Sequence, residues 1–139
     1  MFSATHADQA NALRPNTLCE ALDIRFHVDD QGRLCATMPV GPRTHQPFGS
    51  LHGGATAALA ESLGSTGSAL LVMPEGRMVV GVEVNANHLK AVRDGRVIAT
   101  GELVHRGGST HVWDIRVHDE QGRLCAVCRL TNLVLERRS

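Results

Sequence analysis

Two short stretches of this sequence carry chemistry. The first is Glu61, set in Ala57-Ala58-Leu59-Ala60-Glu61-Ser62-Leu63-Gly64-Ser65. Its helical neighbours three and four positions away are Ala57, Ala58, Gly64 and Ser65. None is a cation, so no local ion pair accounts for the carboxylate. Burial on such a small-residue face would raise its pKa, which suits a base or nucleophile near neutral pH. A solvated helix face carrying one ordinary glutamate fits the same pattern, and both readings stay open. The second stretch is Leu51-His52-Gly53-Gly54. Amide N–H groups at a helix start are unpaired and carry partial positive charge. Glycine lets a ligand oxygen come close, which makes an oxyanion site for a carbonyl under attack. The two glycines can equally be mere loop terminators, and His52 a capping or core residue.

Spacing relates the two stretches. His52 and Glu61 are nine residues apart. At about 100° per residue they lie on opposite helix faces, roughly 13 Å apart along the axis. One chain cannot bring both to one carbonyl. A shared site requires Glu61 from a second subunit, which predicts a two-fold dimer with paired sites at its interface. Ser65, one turn after Glu61, lies beside it and is placed to orient the carboxylate or a water.

The element that must position these groups is a helix from His52 to about Met73, stopped by Pro74 and Gly76. Its many small residues, from Gly53 to Ala69, require backbone or ligand to approach closely. A sheet wrapped around a central helix would do so. Upstream, Asn16–Leu22 predicts a short helix, with Thr17 and Glu20 at capping-box spacing. Ile24–Val28 and Arg33–Val40 alternate as two strands around Asp-Asp-Gln-Gly. Pro39, Gly41, Pro42 and Pro47 mark a loop. Downstream, strands are predicted at Met78–Asn85, Arg96–His105, His111–His118 and Arg123–Leu135. Arg-Asp-Gly, Arg-Gly-Gly and Asp-Glu-Gln-Gly between them are hairpin signals. The sum is an α+β domain with one long helix and five or six antiparallel strands. Neither an internal repeat nor a linker is evident, so residues 1–139 form one domain, with about 1–21 an extension and short helix.

Composition excludes several functions. The 14 basic and 14 acidic residues cancel, so nothing draws the chain to nucleic acid or an anionic membrane. Aromatic content of 3% leaves few stacking platforms for bases. Met1 to Leu13 holds no continuous apolar run, and no stretch reaches spanning length, which predicts a cytoplasmic protein without a signal peptide. The four cysteines then read as buried thiols. Cys125 and Cys128 have CxxC spacing, yet in a strand they point to opposite faces and lack a second ligand pair. The eight histidines are scattered, and no metal site is expected. His105 and His111 flank a turn and read as pocket-wall or strand-end residues. A Gly-x-Ser-x-Gly elbow is missing, so an α/β-hydrolase is unsupported.

The motifs together resemble the hotdog-fold thioesterases, specifically the PaaI-like group that acts on 4-hydroxybenzoyl-CoA and 1,4-dihydroxy-2-naphthoyl-CoA. The resemblance rests on Arg43-Thr44-His45-Gln46-Pro47-Phe48-Gly49, Leu51-His52-Gly53-Gly54-Ala55, Leu59-Ala60-Glu61-Ser62-Leu63-Gly64-Ser65, Gly81-Val82-Glu83-Val84-Asn85-Ala86-Asn87-His88 and His111-Val112-Trp113-Asp114-Ile115. It covers about Leu22 to Leu135. It implies hydrolysis of acyl-CoA thioesters, with an aromatic acyl group first and no cofactor beyond the coenzyme A of the substrate. Glu61 would be the catalytic carboxylate, as nucleophile or general base. Gly53 N–H would polarise the carbonyl, with Gln46 and His52 lining that pocket. Ser65 would lie near the attacked carbon, and Thr66 would face the acyl group. The coenzyme would run over Gly81, over His88, Leu89, Lys90 and Ala91, and over His105, Arg106, Gly107, Gly108, Ser109 and Thr110. Lys90, Arg93 and Arg106 would be its phosphate contacts. Relatives often carry a basic residue at the Gly108 position and an apolar one at Arg106, so the charge here is shifted by two residues. The resemblance also implies that dimers pair into tetramers. Two other functions remain on the same fold: an acyl-thioester hydratase or dehydratase, and a non-catalytic acyl-CoA binding module.

Overall fold

The computed structural model describes residues 1–138. Three helices, α1 (Ala4–Ala12), α2 (Leu18–Ala21) and α3 (Gly53–Val72), accompany six strands. These are β1 (Arg25–Val28), β2 (Leu34–Pro39), β3 (Arg77–His88), β4 (Arg96–Arg106), β5 (Thr110–Asp119) and β6 (Leu124–Glu136). All pairings are antiparallel, in the order β1-β2-β4-β5-β6-β3. The sheet wraps α3, which packs against β2 to β6. The predicted α+β architecture is therefore present, with six strands. Among the described residues no helix is long and apolar enough to cross a membrane.

Two of the glycines of α3, Gly64 and Gly67, are explained by side chains packed on them, Leu130 at Gly64 and Trp113 at both. Trp113 is fully buried. A Cβ on Gly67 would come within 2.7 Å of its ring, one on Gly64 within 3.2 Å and one on Gly101 within 3.1 Å. Three glycines thus hold a flat indole between helix and sheet. Burying ~200 Å² of aromatic surface is worth about 5 kcal/mol at ~25 cal/mol per Å². The space at Gly64 and Gly67 is consequently filled by the chain itself and not left for a substrate ring.

Several sequence expectations need correction. Helix α1 was not anticipated. It buries only Ala7 and Ala10, too few for a periodic apolar signal. The Thr17–Glu20 capping box does not form. Thr17 Oγ1 donates to Arg14 O, and Glu20 accepts from Asn16 N. Arg93-Asp94-Gly95 is not a hairpin turn, because β3 pairs with β6 and β4 with β2. That segment crosses from one sheet edge to the interior. Finally, a short repeat does exist. Asp29-Asp30-Gln31-Gly32-Arg33-Leu34-Cys35-Ala36 recurs as Asp119-Glu120-Gln121-Gly122-Arg123-Leu124-Cys125-Ala126. Both copies build the same β-hairpin turn. The first Asp Oδ1 accepts from the amides two and four residues on, its Oδ2 accepts from Arg Nε, and the Gly takes positive φ. In each, burial alone would raise the aspartate, but hydrogen bonds from the Arg and Gln amides and the guanidinium hold its pKa below the usual value.

The thiols of Cys35, Cys125 and Cys128 are buried and unpaired, and Cys19 is half-buried. A register shift opposite Cys125 breaks the strand alternation, so Cys125 and Cys128 are both buried rather than split between faces. Burial, with Asp114 adding to it, pushes the Cys128 thiol up to about 11.

Candidate active site

The α3 N-terminus opens onto a cavity of about 370 Å³ lined by Gln46, Gly53, Thr56, His88, Lys90 and Cys125, among others. His52 caps the helix. Its Nδ1 accepts from Gly54 N–H at 2.7 Å. The carbonyl of His52 then accepts from Ala55 and Thr56. Gly53 N–H has no acceptor among the described residues. One donor is therefore left at the positive end of a 20-residue helix, facing a cavity. The His88 ring closes over it, within 2.8 Å of where a Gly53 Cβ would stand. A Cβ at position 53 would push that imidazole aside.

Glu61 does not line this cavity. It is half-buried, not fully buried as a desolvated base would be. Its carboxylate lies flat against Gly81 of β3, where a Cβ would fall inside contact distance of Oε1 and 3.3 Å from Cδ. Within one chain the structure thus separates Gly53 and Glu61, as the nine-residue spacing requires. Both stand under the same strand, Gly53 beneath His88 and Glu61 beneath Gly81.

The remaining expected site residues fall into two groups. Gln46, His88, Leu89, Lys90 and Ala91 gather at the Gly53 cavity, and Arg93 lines an adjoining one with Lys90. His105, Arg106, Gly107, Gly108, Ser109 and Thr110 form the β4–β5 turn at the other end of α3. There Arg77 Nη1 donates to Gly108 O at 3.0 Å, and Val134 N to Ser109 O at 2.8 Å. Arg106 lies 4.0 Å from Glu75, which also pairs with Arg77. The Arg106 charge is therefore partly answered within the chain. His52, exposed and committed to its cap, is not part of the cavity wall. Gly81 is exposed and carries the Glu61 carboxylate against it. Thr66 is half-buried and lines no described cavity.

A polar cluster beneath Glu61 escaped the sequence reading. Ser68, His111 and Asn132 are at most 1% exposed. Ser68 Oγ lies 2.9 Å from His111 Nδ1, 2.8 Å from Trp113 Nε1 and 3.1 Å from Asn132 Nδ2. Asn132 Oδ1 lies 3.1 Å from Ser65 Oγ, and Nδ2 lies 3.3 Å from Gly64 O. Desolvation, with the cations Arg106 and Arg77 nearby, lowers the His111 pKa. A visible signal was available: His111 and Asn132 occupy the inward phase of strands otherwise filled by Trp113, Ile115, Cys128 and Leu130.

The two sheet edges are treated differently. Asn11 clamps β1, its Nδ2 donating to Phe26 O at 2.8 Å and its Oδ1 accepting from Phe26 N at 2.9 Å. Arg14 Nε donates to Ile24 O. The outer edge of β3, twelve residues long, has no strand or side chain on it among the described residues. Val82 at its bulge is 59% exposed.

Comparison with known proteins agrees with this geometry. The thioesterase superfamily profile matches residues 48–126. The 1,4-dihydroxy-2-naphthoyl-CoA hydrolase of Escherichia coli is 48% identical over 126 residues, covering 90% of this chain and 91% of its own. A proofreading thioesterase of Klebsiella pneumoniae is 48% identical, covering 90% of each. A thioesterase structure from Haemophilus influenzae superposes with a TM-score of 0.88 at 40% identity, covering 98% of this chain and 92% of that one. A helix with a free N-terminal donor inside a six-stranded antiparallel wrap, matched over nearly its whole length by such relatives, makes this chain a hotdog-fold member of the thioesterase superfamily, an enzyme that hydrolyses thioesters.

Proposed function

We propose that the chain hydrolyses acyl-CoA thioesters, with an aromatic acyl group preferred, at sites shared between two subunits. The observation that carries this reading is the unpaired Gly53 N–H at the mouth of the α3 cavity. It is a preorganised donor for the thioester oxygen, and charge developing there in the transition state is stabilised without reorganisation. Gln46 and Lys90 on the same wall supply polar and cationic contacts for the acyl and phosphate ends. The aromatic preference is drawn from the E. coli relative, whose named substrate is an aroyl-CoA.

The second subunit supplies Glu61. A bare, long strand edge is a site for pairing, and here β3 is the bare edge. Antiparallel two-fold pairing about Val84–Asn85, midway between Gly81 and His88, sets Gly81 of one copy opposite His88 of the other. That juxtaposes the two groups one chain holds apart, Glu61 beneath Gly81 and Gly53 beneath His88. Glu61 then attacks the carbonyl carbon or removes a proton from an attacking water, and coenzyme A departs as its thiol. The same pairing joins the His88–Ala91 segment of one copy to the His105–Thr110 turn region of the next along a single coenzyme path. A dimer of dimers is supported by Met78, Val80, Leu133 and Leu135, which are adjacent and exposed on the outer sheet face.

Thiol release from a panel of acyl-CoA substrates, with Glu61→Gln beside the wild type, tests the proposal. Aroyl-CoA cleavage that falls at least ~10²-fold in Glu61→Gln is expected, the scale of a lost general base. Loss of enoyl-thioester absorbance without thiol release would instead establish a hydratase. Equal rates in both proteins would remove Glu61 from the chemistry.

A further inference from the structure

We infer that Asn132 is a positioning residue that fixes the direction of the Ser65 hydroxyl, turning Ser65 into a hydrogen-bond acceptor for the attacking water. The inference rests on the proposed site at Glu61 and Ser65, and it follows from counting protons. Gly64 O can only accept, so the Asn132 atom 3.3 Å from it is the amide nitrogen. The amide oxygen therefore faces Ser65 Oγ at 3.1 Å, and Ser65 must donate its one proton there. The same nitrogen donates to Ser68 Oγ, as does Trp113 Nε1–H. With two donors received, Ser68 sends its own proton to His111 Nδ1. Ser68 and Asn132 are fully buried and held by these bonds, which fixes the acceptor that Ser65 meets.

The consequence lies one helical turn from Glu61. Ser65 has spent its proton on Asn132, so it cannot donate to the Glu61 carboxylate. Two acceptors, both half-buried, then stand one helical turn apart on α3. A molecule that satisfies both must carry two donors. Water does: one O–H to Glu61, the other to Ser65, leaving an oxygen lone pair for the thioester carbon. In the step itself water oxygen bonds to the carbonyl carbon, its proton passes to Glu61, and the C–S bond breaks. That proton is then delivered to the departing thiolate. Glu61 acts here as general base rather than nucleophile.

The test is a double-mutant cycle on kcat and KM for aroyl-CoA hydrolysis. Asn132→Leu removes the acceptor at similar volume, and Asn132→Val, a good strand former that also lacks an acceptor, serves if Asn132→Leu does not fold. Released from Asn132, Ser65 can turn its proton onto Glu61 and cease to hold the water. The expected result is a loss of about tenfold in kcat with KM unchanged, the scale of one misdirected hydrogen bond. In a Ser65→Ala background the same Asn132 change should cost nothing further in kcat. Equal losses in both backgrounds mean Asn132 acts only through the fold and overturn the inference. A Ser65→Ala enzyme with full kcat overturns it differently, by removing Ser65 from the site while Glu61→Gln still reports on the site as a whole. Oxygen-18 from solvent appearing in Glu61 after a single turnover would refute the water step and leave thioester hydrolysis standing.

Discussion

Replacing Gly81 by alanine should disable the enzyme without harming the fold. The Glu61 carboxylate rests on the bare Cα of Gly81, and an added methyl would lie inside contact distance of Oε1 and 3.3 Å from Cδ. Glu61 is flexible at its far end, so the carboxylate would swing away instead of forcing the strand apart. Restoring ordinary separation needs a shift of about 1 Å, and misplacement on that scale costs ~10²-fold in rate. The backbone itself has no objection, since Gly81 is not among the positive-φ glycines. Alanine at such a compatible position stabilises by ~0.4–1 kcal/mol through the unfolded chain. The two effects have opposite signs, which makes the prediction sharp. Steady-state thiol release should fall ~10²-fold in kcat, while the thermal midpoint holds or rises slightly. Combining Gly81→Ala with Glu61→Gln should add little, because both remove the same positioned carboxylate. A Gly81→Ala enzyme that keeps kcat within about threefold would refute the argument that the seat of Glu61 matters. So would one that loses activity and stability together, since the methyl would then be disrupting the sheet.

Three further outcomes follow from the same geometry. Co-expressed Glu61→Gln and Gly53→Ala chains, each inactive alone, should regain hydrolysis in mixed dimers, because one interface then holds an intact Gly53 and an intact Glu61. Activity that stays absent on mixing would place both groups in one chain's site. His111 has its folded pKa lowered below the ordinary 6.5 by burial and by Arg106, Arg77 and His105, against the opposing pull of Glu75. The unfolded chain therefore binds the extra proton first, and stability is lost as pH falls below about 6.5 toward the lowered folded value. Thermal scans should show this slope in wild type and a flatter one in His111→Asn, which keeps an acceptor for Ser68 but cannot titrate. In the repeated turn, Asp119 is 3% exposed in its side chain and Asp29 24%. Asp119→Ala should lower the thermal midpoint more than Asp29→Ala, because the Asp119 side chain is the more buried of the two and takes more packing with it when it is removed.

What the sequence made legible was local. The α3 boundaries follow from Pro74, Gly76 and the glycines after His52, and the strands from their alternation. The order of strands was not legible. Arg93-Asp94-Gly95 has the chemistry of a tight turn, but turn chemistry says nothing about which strand will be the partner. Small residues on α3 announced that something approaches closely. That the visitor is Trp113 depends on a contact across about 50 positions, which no window on the helix contains. The expectation that backbone or ligand fills that space is met at Gly64 and Gly67 by neither, since a side chain of the same chain occupies it. Helix α1 went unseen because its work is done by single residues, Asn11 clamping an edge and Phe2, just ahead of the helix, sitting 6.1 Å from the Trp113 ring, rather than by a stripe.

The candidate site divides along the same line. Helical arithmetic alone separated His52 from Glu61, and the structure keeps Gly53 at a cavity that Glu61 does not touch. That deduction needed only rise and turn angle, which any sequence supplies. It could not say what holds each group. Gly53 is held against His88 and Glu61 against Gly81, contacts that β3 makes with α3 across some twenty to thirty-five positions. The two contacts also explain each other. A strand that passes over both ends of a split site, and whose outer edge is left bare while the opposite edge is clamped by Asn11, is where a second copy can reunite the halves. On this view the glycines at 53 and 81 serve one purpose. Each removes a side chain so that a functional group from the other element can lie on backbone, and each is therefore a place where a single methyl should separate chemistry from stability.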